Sequence, residues 1–273
     1  ARIGQKAPWW LETQYKFFEK KVLKTLQKAV GLENGVLFPT AGAPLSVNIT
    51  EFLHSCGINI VIGYGLSETC ATVTCYPQPG FELNSAGTVM PRVQIRLGEN
   101  NEIQVKGPTI LREYYNKPKE TAEAFTEDGW FRTSDIAVQD EKGRFFIKGR
   151  NSNMILGPSG ENIYPEEIEN VLNNVEGVSE SIVVERDGRL IALVQPMENY
   201  IEWDKESEDK LYEKLDSWKA RILSITNKNV NKSSQVSSVE VMKEPFEKTA
   251  TQKIRRFKYK DSAPTIEEEM KKK

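Results

Sequence analysis

Between Gly149 and Gly160 the hydrophobic periodicity of the chain lapses, in a run (GRNSNMILGPSG) rich in Gly, Asn, Ser and Arg. Such a run cannot present a continuous buried face, and it reads as a hinge between compact units. It parts the 273-residue chain at Arg150, and each side is long enough to bury a core of its own. Before the hinge, Leu11, Tyr15, Phe18, Val22 and Leu26 recur at three- and four-residue steps, which predicts a helix over 9–29 with one buried face. Leu45, Ile49, Phe52, Leu53 and Cys56 predict a second helix, stopped by Gly57, and Ile58 to Ile62 a short apolar strand. After Gly80 the pattern alternates: Val93, Ile95 and Leu97, then Ile103 and Val105, then Phe145 to Ile147 predict antiparallel strands.

Beyond the hinge, Pro165 opens a helix whose buried face is Ile168, Val171, Leu172 and Val175. A hairpin turning at Asp187-Gly188, a long helix through Leu211, Leu215, Trp218, Ile222 and Ile225, and a last strand from Val236 to Met242 complete the pattern. The fold expected is therefore α/β with α+β. Residues 1–149 form an α/β layer plus a small antiparallel β subdomain, 150–261 a small α+β domain, and 262–273 a disordered tail.

Lys plus Arg number 37 against 39 Asp plus Glu, so no global field draws this chain to nucleic acid or an acidic membrane, and any anion site must be local. Cys56, Cys70 and Cys75 form no CxxC pair and no ligand spacing with the single histidine, His54. A reducing cytoplasm is the expected setting. No apolar run reaches the ~20 residues that span a bilayer. The chain starts at Ala1 rather than Met, as a piece of something longer would.

His54 lies on a helix with no partner motif, and no GxSxG elbow is present, which disfavours a Ser-His-Asp hydrolase. The segment Gly63-Tyr-Gly-Leu-Ser-Glu-Thr69 stands immediately after an apolar strand, where α/β sheets bind ligands. Its glycines admit close approach, Tyr64 offers a ring face to a base, and Ser67 and Glu68 offer oxygens to a hard cation. Composition alone leaves a plain strand-to-loop turn equally open.

YGLSET also resembles the YGxTE motif of the adenylate-forming (AMP-binding) superfamily, and further likenesses follow in that family's order. AGAPL (41–45) resembles its adenine-packing loop and WFRTSD (130–135) its YRTGD motif. GRNSNMILGPSGENIYPEEIE (149–169) is similar to its hinge segment, and EKTATQKIRR (247–256) to the PKTxxGKIxR motif, closest to long-chain fatty-acid–CoA ligases. The matches run from Ala41 to Arg256, nearly the whole chain.

The resemblance implies the later part of a large nucleotide-binding domain followed by a mobile lid. The implied reaction makes acyl-AMP from a fatty acid and ATP with Mg²⁺, then transfers the acyl group to coenzyme A. It implies Gly42, Ala43, Pro44, Tyr64 and Gly65 around adenine, Ser67 and Glu68 near phosphate and metal, and Asp135 on the ribose. Arg150 would contact the nucleotide, Ser152 the hinge axis, Gly160 the coenzyme A channel, and Lys253 with Glu68 the catalytic step. Association with the inner membrane periphery is compatible with an acyl substrate.

The chain departs from the pattern in places. Ser152 and Asn153 stand where the hinge usually has Asp or Lys and an acid, Ser134 and Gln252 replace motif glycines, and the YTSGTTG phosphate loop does not occur among these residues. These 273 residues alone are therefore expected not to turn over ATP. Three alternatives stay open: a ligase for a medium-chain or aryl carboxylate, a noncatalytic nucleotide- or protein-binding piece, and nucleic-acid binding through Lys253, Arg255, Arg256, Lys258 and Lys260 with Phe257 and Tyr259. If that basic run is merely solvated, Arg256 is a charge-matched comparison for Lys253.

Overall fold

The computed structural model describes residues 8–35, 37–43, 45–75, 82, 84–201, 208–250 and 252–266. Pro44 and residues 267–273 of the expected tail lie outside these. The chain divides into two compact units: 1–98, 103–133 and 138–147 in the first, and 99–102, 134–137 and 148–273 in the second.

In the first unit, α1 (Trp9–Phe18) continues through a π-helical turn (Glu19–Leu23) into α2 (Lys24–Ala29). The helix forms where expected, but its face is not buried: Leu11, Tyr15, Phe18, Val22 and Leu26 are 39–54% exposed. Periodicity aligns apolar side chains on one face; it does not supply the surface that covers them.

β1 (Phe38–Thr40) and β2 (Ile60–Ile62) pair in parallel, with α3 (Val47–Ser55) crossing between them. This is the connection parallel strands need. Gly57, at φ +73°, stops α3: its N–H bonds the His54 carbonyl and the Ile58 N–H the Leu53 carbonyl, which satisfies two orphan acceptors of the last turn. His54 lies 2.9 Å through Nε2 from the Ile60 carbonyl, a contact that ties α3 to β2.

β3 (Thr74–Cys75) and β4 (Thr88–Val89) make a short antiparallel pair. A four-stranded sheet follows in the order β5 (Gln94–Leu97), β6 (Glu102–Lys106), β7 (Phe131–Gln139) and β8 (Phe145–Arg150), with α4 (Pro118–Ala124) between β6 and β7. β5 and β6 are antiparallel, as their alternation predicts, and Ile103 and Val105 are fully buried.

The second unit carries the hairpin β9 (Ile155–Leu156) and β10 (Asn162–Ile163), then α5 (Pro165–Leu172). β11 (Val178–Arg186) and β12 (Arg189–Pro196) turn at Asp187 (φ +51°) and Gly188 (φ +72°), two positive-φ residues as a type I′ hairpin requires. α6 (Glu208–Asn229) crosses over and β13 (Ser238–Val241) returns parallel to β12, giving the order β11-β12-β13.

Alternation along the strands loads both faces of this sheet. Val183, Ala192 and Val194 pack with Ile168, Leu172, Trp218 and Ile222 of α5 and α6; Ile182, Val184 and Leu193 pack with Met242, Phe246, Tyr259 and Ala263. The second layer corrects the expected tail, because Ala263 and Thr265 are buried and Thr265 bridges Met242. Residues 262–266 thus close a core face that the strand alternation leaves to be filled.

Ile168 is fully buried at the centre of the first layer. Ile168→Ala is expected to cost about 2–5 kcal/mol, read as a lower urea midpoint for this unit. A loss within measurement error would contradict the packing described.

Candidate functional site

Two loops leave the carboxyl ends of the adjacent parallel strands β1 and β2, the place where open α/β sheets present ligand sites. After β1 comes Ala41-Gly42-Ala43, with Gly42 at φ +92° and Ala43 exposed. After β2 comes the Gly63–Thr69 loop, and the Gly63 N–H bonds the Thr40 carbonyl, which sets the two loop bases side by side.

The second loop is tightly built. Tyr64 is held by backbone bonds to Val73 and Thr74, and a Cβ at Gly65 would overlap the Ala71 carbonyl. Only glycine fits there. Thr69, fully buried, accepts the Leu66 N–H through Oγ1 at 2.9 Å and closes the turn. Cys70 and Ala71 then take φ of +48° and +78°, a strained pair that folds the chain back on itself.

Ser67 is left exposed and Glu68 half-buried. Tyr114 donates its hydroxyl to Glu68 Oε1 at 3.2 Å, and the Leu111 N–H bonds the Glu68 carbonyl at 2.7 Å. Burial and the Glu68 charge push the Tyr114 phenol above its ordinary value. Thr69 and Tyr114 were not singled out from sequence. Thr69 acts through backbone geometry, and Tyr114 is too far along the chain for any spacing to signal the contact.

Among the described residues no three His, Cys, Asp or Glu gather as a metal cage. A single carboxylate such as Glu68, with its second oxygen available, fits Mg²⁺ held chiefly by phosphate and water.

In the second unit Asp135 is 6% exposed, and the half-exposed Arg150 donates to it through Nε at 3.2 Å. Preceding it, Ser134 has φ +60° and its N–H bonds Glu102 Oε1 at 3.1 Å. Ser134 thus keeps the left-handed backbone suited to the motif glycine it replaces. Gln252 does the same at φ +62°.

Ser152 lies in the 3₁₀ turn Asn151–Asn153 that follows β8. Gly160 has φ +83°, and a Cβ there would meet nothing within 4 Å, so its backbone turn accounts for a glycine and open space lies beside it.

Lys253 sits in a short loop closed by the Lys248–Ile254 bridge, the Thr249 N–H to the Lys253 carbonyl at 2.8 Å, and the Lys253 N–H to Thr249 Oγ1 at 3.2 Å. The surrounding cations are neutralised within the unit. Lys248 pairs with Glu180, Arg255 and Lys258 with Glu247, and Arg256 with Glu169. Lys253 is exposed and pairs with none of the described residues.

Arg256 is no solvated neighbour, as the comparison with Lys253 assumed. It meets Glu169 bidentately, and Glu169 also accepts the Val183 N–H at 2.7 Å. Burial pushes the Glu169 carboxyl up, with Arg256 and the Val183 N–H pulling it back. A surface-charge control must therefore use another residue.

The family model described as "AMP-binding enzyme" matches residues 9–115. The chain is 32% identical over 174 residues to a long-chain-fatty-acid–CoA ligase, FadD15, of Mycobacterium bovis, covering 64% of this chain and 29% of that protein. It is 34% identical over 172 residues to a 2-succinylbenzoate–CoA ligase of Listeria monocytogenes, covering 60% and 36%. Among solved structures, o-succinylbenzoate CoA synthetase (MenE) from Bacillus subtilis, in complex with its acyl-adenylate intermediate, matches with a TM-score of 0.68 at 24% identity, over 88% of this chain and 50% of that one.

The fold is that of adenylate-forming enzymes, and residues 9–115 match the AMP-binding enzyme family. Its sequence relatives are named acyl-CoA ligases, and it spans between 25% and 36% of the length of the first of them.

The strained Gln252 gives a direct check of the loop. Gln252→Gly should stabilise the second unit by about 0.5–1 kcal/mol, the relief of a non-glycine left-handed residue less glycine's extra unfolded-state entropy. Destabilisation in urea unfolding would contradict the left-handed backbone at 252.

Proposed function

We propose that this chain serves an ATP-dependent acid–thiol ligase that activates a long-chain fatty acid as acyl-AMP and passes the acyl group to coenzyme A. The observation that carries the proposal is Lys253. Among the described residues its ammonium has no acidic partner, and it stands in a braced loop of a segment where the other cations of the motif are paired with acids. A free compact charge there suits a step in which a carboxylate and the α-phosphate, both negative, must approach.

The other assignments follow from chemistry. Asp135, an acceptor-only carboxylate, holds the ribose hydroxyls. Gly42, Ala43, Pro44, Tyr64 and Gly65 receive the adenine, and Ser67 the phosphate. Glu68 holds Mg²⁺, which screens phosphate charge when bound. Arg150, already on Asp135, orients that carboxylate and reaches the nucleotide. Rotation of residues 150–273 about Arg150–Ser152 would serve the two half-reactions in turn, with Gly160 beside the thiol-bearing arm of coenzyme A.

Fatty acid rather than aryl acid is favoured by the hinge and lysine motifs and by the mycobacterial relative. The Listeria relative keeps an aryl carboxylate as a second reading. The pairing of Arg255, Arg256 and Lys258 with acids leaves only Lys253 and Lys260 of that run to meet a phosphate backbone, which disfavours the nucleic-acid reading. No described helix is long and apolar enough to cross a membrane, and we place the enzyme in the cytoplasm, collecting acyl substrate at the membrane periphery.

In a full-length protein carrying this chain and a phosphate loop, Lys253→Ala should lower acyl-AMP formation by orders of magnitude while thioester formation from supplied acyl-AMP stays nearly normal. Lys260→Ala is the surface-charge control. Equal loss in both half-reactions, or equal behaviour of the two variants, would remove Lys253 from the adenylation step. Asp135→Ala should weaken ATP use by about 1.5–3 kcal/mol, seen as a raised KM for ATP. An unchanged KM would take Asp135 off the ribose. Pyrophosphate release with palmitate, octanoate, acetate and an aryl acid decides between the two substrate readings.

A further inference from the structure

One side chain in the second unit reaches both the hinge segment and Arg256, just after the lysine loop. Glu166, in the first turn of α5, accepts a hydrogen bond from Asn153 Nδ2 at 2.6 Å through Oε1, and the same oxygen lies 3.9 Å from Arg256 Nη2. Its Oε2 is buried without a hydrogen-bond partner among the described residues, and it occupies the space a Cβ at Gly149 would take. Next to it Glu167 pairs with Lys148 at 2.6 Å, and Glu169 clamps Arg256. The acids of α5 therefore meet Lys148 and Gly149, before the proposed hinge, Asn153 after it, and Arg256, three residues beyond Lys253.

We propose that Glu166 is a positioning residue that couples the hinge to the loop bearing Lys253. The proposal rests on the hinge and lysine assignments made above. Rotation about Arg150–Ser152 must carry Lys148 and Gly149 away from α5, so the Lys148–Glu167 pair and the Gly149–Glu166 packing belong to one orientation only. In that orientation Gly149 and Asn153 fix the Glu166 carboxylate beside Arg256, and Arg256 fixes the loop. When Gly149 leaves, Oε2 loses its enclosure, the carboxylate gains water, and its hold on Arg256 relaxes. The lysine loop is thus firmest in the orientation that keeps Gly149 against α5.

Asn153 is suited to this task because its amide donates. An aspartate at the same place would set one carboxylate against another. The unpartnered Oε2 is the cost of the arrangement, kept where a glycine makes room for it.

The experiment compares Asn153→Asp and Glu166→Gln with the wild type in the full-length protein, and Glu176→Gln serves as control because it breaks only the Glu176–Arg221 pair on the surface of the same unit. Hydrogen exchange of the amides of Thr249, Gln252 and Arg255, all bonded within the loop, should quicken about tenfold in Asn153→Asp and Glu166→Gln, with β11 and β12 unchanged. The ratio of acyl-AMP formation to thioester formation should shift about fivefold or more in the same two variants and stay put in the control.

Unchanged loop exchange, or faster exchange spread evenly over the unit as a loss of general stability would give, overturns the coupling. Quickened loop exchange with an unchanged ratio overturns its role in selecting the half-reaction. If the wild-type protein forms no acyl-AMP, the ligase reading fails by itself and loop exchange still decides whether Glu166 couples hinge to loop.

Discussion

The ion pair between Glu169 and Arg256 is the constraint on which the arrangement of α5, β11 and the segment around Lys253 depends. Glu169 is 6% exposed, and its carboxylate takes a bidentate guanidinium and the Val183 N–H, so it joins α5, β11 and the segment after the lysine loop. Removing one partner of such a pair strands a buried charge, at a cost of about 3–5 kcal/mol. That cost holds the segment after the loop to the helix, while Lys253 within the loop stands exposed. The same helix meets Asn153 through Glu166 and Lys148 through Glu167. One element eight residues long therefore serves packing through Ile168 and Leu172 and electrostatics through three acids.

In the first unit the corresponding constraint is steric. Gly65 must lack a side chain because Ala71 folds back over it, and Thr69 replaces a backbone partner so that the turn closes with Glu68 held toward Tyr114. The positive φ values of Cys70 and Ala71 show that the loop is held in this shape by its surroundings. A loop so determined offers Tyr64, Ser67 and Glu68 in fixed relation to each other, which ligand recognition requires and an unconstrained turn would not give.

Much of this was legible from sequence because it follows local rules. The glycine stop at Gly57, the Asp187-Gly188 turn, the Pro165 start of α5 and the alternation over 93–105 each involve residues a few positions apart. What was missed depends on distant partners. The helix over 9–29 was foreseen, but the exposure of its apolar face was not, since spacing does not say what lies opposite. Arg256 looked like one charge of five because Glu169 is 87 residues away, and the packing of Ala263 and Thr265 was hidden in a polar stretch. For the candidate site, the ordered motifs named the residues, whereas the shared strand ends that set the 41–43 and 63–69 loops side by side, and the ion pairs around Lys253, came only from the fold. Ser134 and Gln252 show the limit from the other side: they replace motif glycines, yet both take the positive φ that favours glycine.

An enzyme of the proposed kind makes an acyl-adenylate as a discrete intermediate, and exchange of labelled pyrophosphate into ATP by the full-length protein, with a long-chain fatty acid present and coenzyme A absent, reports that intermediate. Exchange that requires the fatty acid and Mg²⁺ but not coenzyme A is the predicted result. Exchange without any carboxylate, or none until coenzyme A is added, would contradict it.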